Sequence, residues 1–158
     1  MVSVPGAFTP GCQAFHLPPY IQKIGDLKSK GVDKVAVIAS NDEWVMNAWG
    51  KVNKVNTDDI VSSMTVYDKL EITLTHRFQL MLSDTKTFFS KEHGWAAGMG
   101  DRNGRWAMII EKDGSISYAE NEKSPAEVNV STNNGSWGIR RKANSVQVSG
   151  ADAILSRL

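Results

Sequence analysis

Apolar positions along this chain switch between a two-residue and a three-to-four-residue period, and the switches mark its elements. Val2 to Val4 reads as the end of a strand, and Lys34 to Ala39 as a buried strand of apolar and β-branched residues. Between them, Pro18 or Pro19 to Ser29 predicts a helix. Ser40 to Asp42 supplies a cap for a second helix, Glu43 to Val52, whose apolar residues share one face. Leu80 to Leu82 predicts another short strand, and Thr85 to His93 a helix stopped by Gly94. Trp106 to Glu111, Lys112-Asp113-Gly114 and Ser115 to Ala119 form the best hairpin signal, because Asp-Gly tolerates the positive φ of a tight turn. Ala151 to Leu158 closes as a helix. Strands alternating with helices, followed by a hairpin, predict an α/β domain.

Composition narrows the class. With 158 residues and 41% hydrophobic content the chain can bury a real core, and a single domain over 1–158 is expected. A net charge of +1 makes no case for nucleic acid, and Arg140-Arg141-Lys142 is too short a cluster to change that. No apolar run reaches the roughly 18 residues of a spanning helix, so no membrane partner is expected. Without a signal peptide before Cys12, an intracellular protein is expected.

Other apparent signals fade. Gly98-Met99-Gly100 precedes a strand rather than a helix and lacks the spacing of a nucleotide fingerprint. His16, His76 and His93 have no metal-ligand spacing and Cys12 is the only cysteine, so no zinc site is expected. Asn129-Val130-Ser131 and Asn134-Gly135-Ser136 match the glycosylation triplet, but a chain lacking a secretory signal would not meet that machinery. Of the five tryptophans, Trp44, Trp49, Trp95 and Trp106 fall at core or dimer-contact positions.

The chemistry concentrates in Pro5-Gly6-Ala7-Phe8-Thr9-Pro10-Gly11-Cys12. A cysteine at a helix N-terminus meets unpaired backbone N–H groups and the positive end of the dipole, which favour the nucleophilic thiolate. Gly6 and Gly11 let backbone amides approach a small substrate, while Pro5 and Pro10 stiffen the loop. Thr9 offers a hydroxyl to the thiolate or to a bound oxygen. The bland alternative is a small buried hydrophobe.

Pro5, Thr9 and Cys12 match the Pro-x-x-x-Thr-x-x-Cys loop of peroxiredoxins, and PGAFTPGC followed by His16-Leu17-Pro18 resembles the type II (Prx V) branch, especially its fungal, peroxisomal-type members. Ala39-Ser40-Asn41-Asp42, Leu82-Ser83-Asp84, Gly94-Trp95, Gly100-Asp101-Arg102-Asn103-Gly104-Arg105-Trp106 and Val148-Ser149-Gly150-Ala151-Asp152 resemble the same branch. The resemblance implies a thioredoxin-like fold, with a central mixed sheet flanked by helices. It implies that Cys12 is the peroxidatic cysteine, that Thr9 hydrogen-bonds the peroxide, and that Pro5 shields the sulfur. Arg102 would hold the thiolate and polarise the peroxide, with Arg105 as second choice. Gly11 would border the bound substrate, and His16 would orient the loop rather than act as a base.

Two departures stand out. The chain begins almost at the catalytic strand, so truncation and a missing or exposed sheet edge are expected. Val61 to Gln79 and Val130 to Gln147 interrupt the resemblance, and deleting each rejoins family-like text. Both begin Val-Ser, which can be encoded by a donor-like GTAAG, and end in Gln, which can be the acceptor-like CAG. These features suggest introns retained in frame; the alternative is a pair of surface-loop insertions.

The expected function is thiol-dependent reduction of hydrogen peroxide and alkyl hydroperoxides with one cysteine and no cofactor. The sulfenic acid would be resolved by glutathione, glutaredoxin or thioredoxin, or by Cys12 of a second subunit in a homodimer. The competing expectation is a non-catalytic truncated or mis-spliced thioredoxin-like isoform that cannot hold Arg102 near Cys12. Ser156-Arg157-Leu158 resembles the Ser-Lys-Leu peroxisomal signal, so the expected address is peroxisomal, or otherwise cytoplasmic.

Overall fold

A computed structural model describes residues 1–55, 79–93, 95–97, 100–123 and 148–158. Among these, β1 (Val2–Ser3), β2 (Val35–Ala39), β3 (Gln79–Ser83), β4 (Trp106–Ile110) and β5 (Ile116–Asn121) form one sheet in the order β3-β2-β1-β4-β5. The β1–β2 and β2–β3 pairs are parallel; β1–β4 and β4–β5 are antiparallel. The sheet is therefore mixed, and β1 lies at its centre. Among the described residues β3 and β5 form the edges, and the side chains of β5 are mostly exposed.

Side-chain alternation divides the strands between two apolar clusters. Val2, Val35, Val37 and Ala107 join Cys12, Leu17, Tyr20, Leu27, Met46, Trp49 and Ile154 on one side. Ile38, Trp106 and Met108 face the other, where Met1, Leu82, Phe89 and Trp95 pack against them. Trp49 and Trp106 are fully buried, whereas Trp44 is 67% exposed and not a core residue.

The first helical stretch starts earlier than its prolines suggest. A π-helical segment, Cys12–His16, runs directly into α1 (Leu17–Gln22), followed by α2 (Ile24–Ser29). Pro18 and Pro19 sit in the first turn of α1, where a missing N–H costs little. Gly31, at φ 87°, ends α2 with the paired bonds Val32 N–H to Leu27 C=O (3.1 Å) and Gly31 N–H to Lys28 C=O (3.0 Å).

Helix α3 (Glu43–Val52) matches its predicted span, and the Asp42 carboxylate caps it by accepting from Val45 N–H. The helix predicted over Thr85–His93 is interrupted. A 3-10 turn (Thr85–Thr87) with φ 64° at Lys86 and 54° at Thr87 precedes α4 (Phe88–Glu92). Asp84 accounts for the break, because its carboxylate accepts from Phe89 N–H (2.9 Å) and Ser90 N–H (3.1 Å) and so starts the helix there. The hairpin turns as predicted, with Gly114 at φ 86° and Asp113 accepting from the Ser115 N–H and hydroxyl. The last helix, α5, spans Ala151–Leu155.

Of the two interruptions in the family-like text, only Gln79 is among the described residues. Its backbone opens β3 opposite Val35. Trp137 and His76 lie outside the described residues.

Candidate active site

The loop after β1 places Cys12 at the start of the π-helical segment, completely buried. Three contacts shape the loop. Asn41, between β2 and α3, accepts from Ala7 N–H (2.7 Å); the Thr9 hydroxyl donates to Gly6 C=O (2.9 Å); and Gln13 N–H donates to Thr9 C=O (2.8 Å). Phe8 takes φ 59°, unfavourable for a bulky residue, and packs its half-exposed ring 6.4 Å from Trp49. Gln13 bonds Trp49 and Asn53 of the α3 region, tying the cysteine's helix to α3. Gly11 sits at φ −66° and ψ −42°, open to any residue, so backbone conformation does not require glycine there.

The guanidinium contact expected of Arg102 is made by Arg105. Arg105, just before β4, is 4% exposed, and its Nη2 lies 3.5 Å from Cys12 Sγ. Strand alternation explains the choice. Arg105 shares the parity of Ala107, which faces the Cys12 cluster, while Trp106 faces the opposite one. Arg102 is exposed and reaches the same loop from outside: a Cβ on Gly6 would lie 3.1 Å from Arg102 Nη1 and 3.2 Å from Thr9 Cγ2. Gly6 therefore answers to close approach. Pro5 is buried in the loop.

His16 supports Arg105 from beneath. Its Nδ1 lies 2.8 Å from Arg105 Nη1 and its Nε2 2.9 Å from the Ser149 carbonyl. Arginine can only donate and a carbonyl can only accept, so Nδ1 accepts and Nε2 carries the proton. Burial first, then the Arg105 charge, lowers the His16 pKa to about 4, the Ser149 bond opposing them. The ring is neutral at physiological pH with both nitrogens engaged, an orienting arrangement. The Ser149 carbonyl also accepts from the Tyr20 hydroxyl (2.6 Å), whose pKa burial raises well above its ordinary value.

Arg105 was ranked second by sequence, and Asn41, Tyr20, Glu122 and Ser149 were not singled out. Parity along β4 could have promoted Arg105; Ser149 falls in a family-like stretch, but its role depends on the tertiary fold. Among the described residues, no group of three or more His, Cys, Asp or Glu side chains could hold a metal, and no helix is long and apolar enough to cross a membrane.

The order and directions of these strands, with a cysteine helix following the central strand, define a thioredoxin-like fold. The chain belongs to the Redoxin family, whose pattern matches residues 1–135. It is 43% identical over 131 residues to Peroxiredoxin Pen c 3 of Penicillium citrinum, spanning 83% of this chain and 66% of that one. It is also 33% identical over 126 residues to a Lipomyces kononenkoae protein whose given name is of a peroxisomal peroxiredoxin, covering 77% of this chain and 64% of that one. The chain thus spans somewhat under two thirds of the length of these relatives. The reduced Prx3 of Vibrio vulnificus in complex with hydrogen peroxide superposes with a TM-score of 0.67 at 31% identity, covering 99% of this chain and 78% of that one.

Proposed function

We propose that this chain is a thiol-dependent peroxidase of the type II (Prx V) kind, reducing hydrogen peroxide and alkyl hydroperoxides through Cys12 alone. The observation that carries the reading is the buried pairing of Arg105 Nη2 with Cys12 Sγ beside the Pro5–Cys12 loop. A permanently protonated guanidinium at that distance favours negative charge on sulfur and stabilises charge developing on a leaving oxygen. Similarity to a Vibrio vulnificus protein solved with hydrogen peroxide supports the substrate class.

In the proposed step the thiolate attacks the terminal peroxide oxygen. An S–O bond forms, the O–O bond breaks, and sulfur supplies the electron pair. The departing oxygen takes a proton and leaves as water or an alcohol, and Cys12 becomes a sulfenic acid. Donation of the Thr9 proton to Gly6 leaves its oxygen lone pairs free to accept the O–H of the incoming hydroperoxide. Pro5 keeps bulk water off the sulfur, Gly11 borders the substrate, and Arg102 stands at the outer rim. An external thiol (glutathione, glutaredoxin or thioredoxin) or Cys12 of a second subunit then forms a disulfide with release of water, and a further thiol regenerates the enzyme.

Peroxide consumption by purified protein, assayed with glutathione and thioredoxin systems in parallel, tests activity and reductant together. No turnover with either, and no single-turnover oxidation of Cys12, overturns the reading. The proposed address is the peroxisome through Ser156-Arg157-Leu158, which is exposed at the end of α5. A fluorescent fusion keeping the free C-terminus should enter peroxisomes and return to the cytosol when Leu158 is removed.

A further inference from the structure

The polar chain that ends on Cys12 starts beyond Arg105. Glu122, immediately after β5, is 7% exposed, and its Oε1 accepts from both the N–H and the hydroxyl of Ser149, each at 2.9 Å. A carboxylate taken this far from water is costly unless its oxygens are satisfied. Here one oxygen takes both donors of a single residue. Pinning the N–H and hydroxyl of Ser149 fixes the orientation about its Cα. The carbonyl leaving that Cα is the acceptor shared by His16 and Tyr20. His16 in turn meets Arg105 Nη1, and Arg105 Nη2 meets the sulfur.

Glu122 reaches Arg105 by a second route as well. Its backbone N–H donates to the Arg105 carbonyl at 2.8 Å, extending the β4–β5 ladder past Trp106 and Asn121. One residue therefore holds both the main chain of Arg105 and, through Ser149 and His16, the support of its guanidinium. Among the described residues, Tyr20 and Tyr118 both feel its carboxylate, Lys123 follows it in the chain, and His16 and Arg105 lie beyond Ser149.

We infer that Glu122 is a positioning residue for the Arg105–Cys12 pair, acting through Ser149 and His16 to aim the guanidinium at the sulfur. The inference rests on the peroxidase reading for its rate measurement, but not for its spectroscopic one. Glu122→Leu removes the acceptor, Glu122→Gln keeps an oxygen at the same reach, and Ser149→Ala removes the hydroxyl donor while leaving the backbone N–H.

Three quantities are measured on the full chain: the pH midpoint of thiolate ultraviolet absorbance, the second-order rate with hydrogen peroxide, and the thermal melt. In Glu122→Leu the midpoint should move upward and the rate fall about tenfold or more. Glu122→Gln should stay within about threefold of the parent, and Ser149→Ala should lie between. A folded Glu122→Leu variant whose midpoint is unchanged and whose rate stays within about twofold overturns the inference. So does a lowered melting temperature with no movement of the midpoint. If Glu122→Leu does not fold, Ser149→Ala decides by the same criteria. A parent protein inert to peroxide overturns the peroxidase reading, while the thiolate midpoints still judge Glu122.

Discussion

The buried floor beneath the cysteine loop and its exposed outer rim each present an arginine, three residues apart, and their settings are opposite. Arg105 on the floor is buried, faces Cys12 and His16 with its guanidinium, and immediately precedes β4, the antiparallel neighbour of the central strand. Arg102 on the rim is exposed, and its Nη1 lies 3.1 Å from where a Cβ on Gly6 would stand. A guanidinium in a low-dielectric setting acts on a neighbouring charge far more strongly than one screened by water. In the proposed peroxidase the floor would act on the sulfur and the rim on what reaches it.

The hardest test removes the sulfur that defines the floor. Cys12→Ser should reduce peroxide turnover to background, because a hydroxyl supplies almost no anion at neutral pH. Surviving turnover would place the chemistry elsewhere. Next, Arg105→Met should lower the rate with peroxide about a hundredfold or more, as for loss of a preorganised charge-stabilising donor. A smaller loss than that of Arg102→Met would reverse the assignment of floor and rim.

The floor should also declare itself in stability. His16 ionises near pH 4 in the fold against an ordinary 6.5, so between these values the unfolded chain holds a proton that the folded one does not. Stability from this source is therefore lost as pH falls from about 6.5 to about 4, by about 3 kcal/mol in all, and is level above that window. Chemical denaturation of the parent and of His16→Gln across the window should give a difference curve with this slope. Parallel curves would mean that the ring is not held neutral.

The contrast also explains what could be read from the amino-acid order. Local rules sufficed where an element carries its own signal: the β-branched run of β2, the Asp42 cap of α3, and the Asp-Gly turn of the hairpin. They failed where a distant or long-reaching contact decides. Pro18 and Pro19 misplace the boundary of the periodic stretch, although the helical path begins at Cys12, where the loop itself signals a helix start. Asp84 breaks the stretch before α4 through its side chain, against good helical periodicity. Cys12, Thr9 and Pro5 could be proposed together because they share one short loop. Choosing between Arg102 and Arg105 required the parity of a strand, and Ser149 required the tertiary fold.

The smallest expected effect is the most specific to the rim. Arg102→Met should change the peroxide rate by no more than about fivefold, since an exposed, screened charge contributes little. Gly6→Ala should have a similar modest effect by the same route. The added Cβ would crowd Arg102 Nη1 at 3.1 Å, and that atom ends a flexible side chain that can move aside. If Gly6→Ala acts only by displacing Arg102, the double variant should be no slower than the slower single one, because the second change removes nothing further. Additive losses would mean that the Cβ disturbs Thr9, 3.2 Å away at Cγ2, and with it the loop itself. Rates of the parent, both single variants and the double variant thus determine whether the rim works through its arginine or through the backbone that the arginine covers.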